Sequence, residues 1–110
     1  MRPYTFFMLL RSEPAWLTLT RAQRREFIAS DIQPIQAKYP AVRLRFYDAE
    51  AFSGRCTDVA MWETDDLRQY QFLVDALRDT RFFALPYFTV VDIVPAVEDG
   101  YVEYDRAEAA

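Results

Sequence analysis

The chain has 110 residues, 52% of them hydrophobic and 27% charged, which makes one domain able to bury a core of its own and excludes a disordered chain. With no histidine and a single cysteine, Cys56, it excludes imidazole acid–base chemistry, serine-type triads, an internal disulfide, and ordinary zinc or histidine-ligated haem sites. A formal net charge of −4 argues against a sequence-independent grip on nucleic acid.

Tyr4 to Arg11 is apolar on both faces, as a central strand covered on both sides should be. In the connection that follows, Ser12 to Thr18, Trp16 and Leu17 are expected to tuck under the core. Thr20 reads as the N-cap of a helix running to about Tyr39, with Ile28, Ile32, Ile35 and Tyr39 on one stripe widened by Phe27. Pro34 lacks the amide that would bond back to Ser30, so a kink is expected there, and Pro40 ends the helix.

Val42 to Asp48 alternates strictly, with Val42, Leu44 and Phe46 on one face and Arg43, Arg45 and Tyr47 on the other. A loop around Ser53-Gly54 leads to a strand from Cys56 to Glu63, where Val59 and Met61 oppose Cys56, Asp58, Ala60 and Trp62. Thr64 is the expected cap of a second helix, whose first turn holds Asp65 and Asp66 and whose stripe is Leu67, Tyr70, Val74 and Leu77. After a loop through Pro86, Tyr87 to Val94 reads as the last strand. Residues 96–110 read as an acidic tail with Tyr101 and Tyr104.

The order β-α-β-β-α-β predicts a ferredoxin-like α+β fold, a four-stranded antiparallel sheet with both helices on one face. The other face then needs a partner, and a homodimer pressing two such sheets together is the simplest one. Arg11 cuts short the apolar run that follows Arg2, and Pro86 interrupts the longest uncharged stretch, Phe82 to Val91. The expectation is a cytoplasmic protein with no membrane segment and no nucleic-acid partner.

Several stretches resemble the bacterial darcynin family. They are Arg45 to Phe52 (RFYDAEAF), Asp58 to Thr64 (DVAMWET), Trp16-Leu17, Ile32-Gln33-Pro34-Ile35 and Val90 to Pro95 (VVDIVP). The likeness covers nearly the whole chain. It implies a domain of unknown function related to dimeric α/β-barrel proteins, whose subunits are ferredoxin-like. That wider group includes cofactor-free monooxygenases, isomerases, haem enzymes and proteins without known activity, and no catalytic residue carries over.

The candidate site is the helix-free sheet face, where parity places Arg43, Arg45, Tyr47, Asp58, Trp62 and Asp92. Val42, Leu44, Phe46, Val59 and Met61 are left to pack against the helices. On that face arginine would hold an anionic group, Tyr47 and Trp62 would stack on an aromatic ring, and Asp58 could act as a base if burial raised its pKa. The alternative is structural: Arg45 and Asp58 pairing with each other or across the dimer. Cys56 reads as a small buried hydrophobe rather than a nucleophile, having no histidine base. Arg21, Arg24 and Arg25 oppose the dipole of the first helix; they read as a solvated face or as a cluster for an anion or the acidic tail.

Asp65-Asp66 reads as capping and Glu98-Asp99-Gly100 as a turn, so neither pair suggests a metal. No cofactor is expected. Three functions remain open: a small-ligand-binding domain, a cofactor-free oxygenase or isomerase acting on an aromatic metabolite, and a purely structural dimer.

Overall fold

The computed structural model describes residues 3–109. Its strands are β1 (Tyr4–Ser12), β2 (Arg43–Asp48), β3 (Asp58–Thr64) and β4 (Phe88–Val97). They lie in the order β2-β3-β1-β4 with every neighbouring pair antiparallel. This is the ferredoxin-like arrangement that the element order predicts, and β1 is central as its two apolar faces require. The helices are α1 (Pro14–Leu17), α2 (Arg21–Phe27), α3 (Gln33–Lys38), α4 (Leu67–Arg78), α5 (Arg81–Ala84) and α6 (Gly100–Ala109).

The first long helix is broken upstream of its proline rather than at it. Thr20 caps α2 through a reciprocal box with Gln23, so the expected start holds. A wide π-turn, Ile28–Ile32, then separates α2 from α3, with the Gln33 amide donating to the Ile28 carbonyl. A proline ring clashes with the carbonyl four residues earlier, and widening the preceding turn moves that carbonyl aside.

The second helix also starts later than expected. Asp66, not Thr64, accepts from the Gln69 amide at 3.1 Å and caps α4. Thr64 closes β3 opposite Tyr4, and its fully buried hydroxyl donates to the Ala41 carbonyl at 2.9 Å and accepts from the Asp66 amide at 3.0 Å. The hydroxyl is already occupied in joining β3 to the β2 approach, so it is not free to cap.

The core lies between the sheet and α2–α4. Met8, Leu10, Leu73 and Leu77 are essentially sealed from solvent, each worth roughly 1.5–3 kcal/mol of burial. Phe6 stacks flat on Tyr70 at 3.9 Å, fixing α4 over β1. Trp16 packs against Phe27, Tyr87 and Phe88 as expected, whereas Leu17 points outward and is 56% exposed. Cys56 is buried just before β3 rather than within it.

The C-terminal region departs most from expectation. β4 continues through Pro95 to Val97, which an edge strand tolerates because a missing outward amide breaks no ladder bond. Asp99 takes a left-handed turn at φ 46, and the expected acidic tail, 96–110, is instead the end of β4 and helix α6; Ala110 lies outside the described residues. Among the described residues no helix is long and apolar enough to cross a membrane.

Thr64→Val keeps the shape but leaves the Asp66 amide and Ala41 carbonyl without their partner. It should cost about 1–3 kcal/mol. Urea unfolding is expected to show a lower midpoint at an unchanged slope; an unchanged midpoint would remove Thr64 as the joint between β3 and α4.

Candidate functional site

Residues directly opposite in an antiparallel pair share a face. In β2 and β3 the pairs are Leu44 with Trp62, Phe46 with Ala60, and Asp48 with Asp58. The β1 partners of that β3 row are Phe6, Met8 and Leu10, the row that meets the helices. Asp58, Ala60 and Trp62 therefore face the helix layer.

The open face carries the other row. Arg43, Arg45 and Tyr47 pair with Glu63, Met61 and Val59, and these with Thr5, Phe7 and Leu9. This corrects two expectations: Val59 and Met61 do not pack against the helices, and Asp58 and Trp62 do not join the β2 arginines. Asp92, opposite Leu9, does lie on the open face, but on β4 at the far edge of the sheet from β2. Three strand spacings of roughly 4.8 Å separate those edges. Its carboxylate accepts from the next amide, Ile93, at 2.8 Å.

The expected Arg45–Asp58 pair is thus precluded within one chain. Arg43 instead pairs with its register partner Glu63 at 2.9 Å. Among the described residues Arg45 has no ion-pair partner.

Between the β2–β3 corner and the α2–α3 layer lies a cavity of about 440 Å³. Ala60 lies on its sheet side, where the small side chain leaves room, with Phe46 and Trp62 flanking it. Ile28, Ile32 and Gln36 line it from the helices, and Arg24 enters from α2. These four stand at successive spacings of four, one helical face.

Two residues of this lining carry a buried polar atom that has no hydrogen-bond partner among the described residues, the indole Nε1 of Trp62 and the Nε of Arg24. Trp62 is 3% exposed, so its N–H has no access to bulk water. An orphaned donor of this kind costs about 1–3 kcal/mol. Arg24 is held in place by stacking over Trp16 at 5.5 Å and by donating to the Leu17 carbonyl at 3.3 Å. The expected solvated arginine cluster is therefore split, with Arg24 turned into the cavity and Arg21 and Arg25 left outside.

Asp48 and Asp58 also line the cavity. Burial, the largest influence, pushes the Asp58 carboxyl above its ordinary 3.8. The Thr57 hydroxyl, donating at 2.7 Å, pulls it back. The hydrogen bond and like charge of Asp48, with the charge of Glu50, push it up further. Asp58 can thus hold a proton against Asp48 at a pH where an ordinary aspartate has lost it. No ion pair joins Arg24 to either carboxyl among the described residues.

The darcynin family, described as a domain of unknown function, matches residues 1–110. The chain belongs to the darcynin family. It is 51% identical over 89 residues to Darcynin 1 of Acinetobacter baumannii, covering 81% of this chain and 99% of that protein. Darcynin of Chromobacterium violaceum is 57% identical over 74 residues, 67% of this chain and 94% of its own.

Among solved structures, chlorite dismutase from Candidatus Nitrospira defluvii in complex with imidazole aligns with a TM-score of 0.71 at 15% identity, over 88% of this chain. A mutant of that chlorite dismutase gives 0.69. The darcynin chain spans 40% of those chains, and at this identity the likeness is one of fold.

A haem, the cofactor of some proteins in the wider group, does not fit this darcynin cavity. Its lining offers no imidazole, thiolate or phenol as an axial ligand. Among the described residues no cluster of three or more metal-ligating side chains occurs either.

Because folded Asp58 keeps its proton above 3.8, the folded state binds more protons than the unfolded chain there. Stability should therefore fall as pH rises from 3.8 through the raised value. Asp58→Asn should flatten that decline. In Asp48→Asn, carboxyl NMR should find the Asp58 midpoint lowered yet still above 3.8, since burial remains; an unmoved midpoint would mean the two carboxyls do not share a proton.

Proposed function

We propose that the chain binds a small, largely apolar ligand in the cavity between α2–α3 and the β2–β3 corner. The carrying observation is the buried N–H of Trp62, a donor without an acceptor among the described residues, on a side chain that lines a cavity large enough for a small molecule. A cavity of about 440 Å³ falls in the ~300–1,000 Å³ range of small-molecule sites. The aromatic walls, Trp16, Phe46 and Phe88, favour a ring system. The Trp62 and Arg24 donors favour a hydrogen-bond acceptor or an anionic group on it. This keeps the ligand class expected from sequence and moves its site to the opposite side of the sheet.

A second reading concerns the open face, where Phe7, Tyr47 and Val94 are 37%, 47% and 46% exposed. Apolar side chains in such number on one side of a sheet favour association through that side. We take the partner to be a second copy of the chain, two open faces opposed.

Trp16 and Trp62 are the two tryptophans of the chain, and both line the cavity, so intrinsic fluorescence reads it directly. Anilinonaphthalene sulfonate, an aromatic anion, should quench that emission at one site per chain. Trp62→Phe removes the donor but keeps the ring, and should weaken binding about five- to tenfold. Ile28→Trp, a half-buried wall position, should fill the cavity and abolish binding while circular dichroism stays unchanged. Equal affinity for the probe in both variants would sink the cavity reading.

A further inference from the structure

The wide turn Ile28–Ile32 stands in the middle of the helical wall of the cavity. Arg24 lies on one side of it and Gln36 on the other, and both line the cavity. A regular α-helix would not bring them there together. A spacing of four drifts by about 40° at each step, so the three steps from Arg24 to Gln36 accumulate about 120°. The π-turn absorbs one extra residue, which sets the downstream half back by about 100° and leaves the pair only about 20° apart.

The core does not require this turn. Phe27, Ile28, Ile32, Ile35 and Tyr39 all pack into the hydrophobic cluster. They fall within an arc of about 140° in a regular helix and about 120° across the wide turn. Either arc suits a helix laid on a sheet. What changes between the two is the polar pair, so the turn serves the cavity.

Its cause is a single residue. Pro34 has no amide to give the Ser30 carbonyl, and its ring would press on that carbonyl in a regular turn. The Gln33 amide reaches back five residues to Ile28 instead. Pro34 itself is exposed and stands outside the cavity lining.

Gln36 is the residue that the turn brings in. It is half-buried, and among the described residues its carboxamide has no hydrogen-bond partner. That group offers an acceptor and two donors. Along the helix the Arg24 and Gln36 Cα atoms are roughly 17 Å apart, so the two side chains address opposite ends of a ligand.

We propose that Pro34 is a positioning residue of the cavity: the wide turn it forces brings Gln36 onto the face of Arg24. The site then takes an elongated aromatic anion that carries a hydroxyl or amide at its far end. This inference rests on the cavity reading and names the second polar end of its ligand.

Calorimetric titration with a naphthalene carboxylate, with and without a hydroxyl on its far ring, tests it. The native chain should bind the hydroxylated form about fivefold more tightly. Gln36→Leu should erase that preference and leave the plain carboxylate bound as before. Pro34→Ala should erase it too, because the new amide can bond to Ser30 and swing Gln36 about 100° from Arg24. Its NMR signature is a Gln33 amide coupled across the hydrogen bond to Ala29 rather than Ile28. Deleting the exposed Ala29 from that variant removes the extra residue, re-aligns the pair in a regular helix and should restore the preference. A preference that survives Pro34→Ala, or a Gln33 amide still coupled to Ile28 there, would overturn the role of Pro34. A deletion variant that folds without recovering the preference would overturn the alignment. No preference in the native chain would overturn this inference alone if anilinonaphthalene sulfonate still binds, and the cavity reading with it if that probe does not.

Discussion

The pairing of β1 with β3 is the constraint on which the rest of the molecule depends. Setting Phe6 against Trp62, Met8 against Ala60 and Leu10 against Asp58 commits one row of β3 to the helix layer. A slip of one residue would send Trp62 to the open face and bring Val59 and Met61 inside. The cavity would then lose its indole donor, its small floor residue and one of its two carboxyls. At one end of β3, Thr64 ties the strand to the β2 approach and to the start of α4 through its bonds to Ala41 and Asp66. At the other, Thr57 accepts from the Ser12 amide at 2.7 Å and its own amide reaches the Leu10 carbonyl at 2.8 Å.

Given that register, the cavity is an imbalance that the fold tolerates. An indole with its N–H satisfied, or a phenylalanine in its place, would be the more stable choice at position 62. Arg24 presents a second unpaired donor while its stacking on Trp16 and its bond to Leu17 hold the side chain still. Donors fixed before a ligand arrives lose little freedom on binding it, which is the usual reason for leaving buried groups unpaired. The raised Asp58 carboxyl adds a group that can accept or donate a hydrogen bond according to pH.

Much of the fold was legible from local chemistry. Alternation in β2, the Thr20 N-cap and the two-faced apolar run of β1 each have one physical reading, and the ferredoxin-like order follows from them. The parity of β3 was not legible from the strand alone. Both of its rows are apolar enough to be buried, Val59 and Met61 on one side and Ala60 and Trp62 on the other, so the choice belongs to the pairing with β1. That ambiguity split the candidate site, separating Asp58 and Trp62 from Arg43, Arg45 and Tyr47. One signal for the cavity was present in the sequence: Arg24 continues the four-residue spacing of Ile28, Ile32 and Gln36, placing it on the buried face. Helix α6 was hidden for a different reason. Its stability cannot come from its own length and composition, so nothing local distinguishes it from an acidic tail.

The two faces of β2 connect these observations. Leu44, Phe46 and Asp48 line the cavity, while Arg43, Arg45 and Tyr47 stand on the open face, and the two sets alternate along one edge strand. An edge strand has a ladder on one side only, so its position is held by β3 and by whatever packs on its two faces. Inside, the helices leave room against it, because the cavity lies there. Outside, Arg43 binds Glu63 and ties β2 to β3 at one end, while among the described residues Arg45 and Tyr47 have no such tie. Contacts on the open face therefore bear on the strand whose other row, Leu44, Phe46 and Asp48, lines the cavity. The cost of leaving both faces of one edge strand under-packed is what makes a ligand on one side and a protein surface on the other physically coherent parts of a single design.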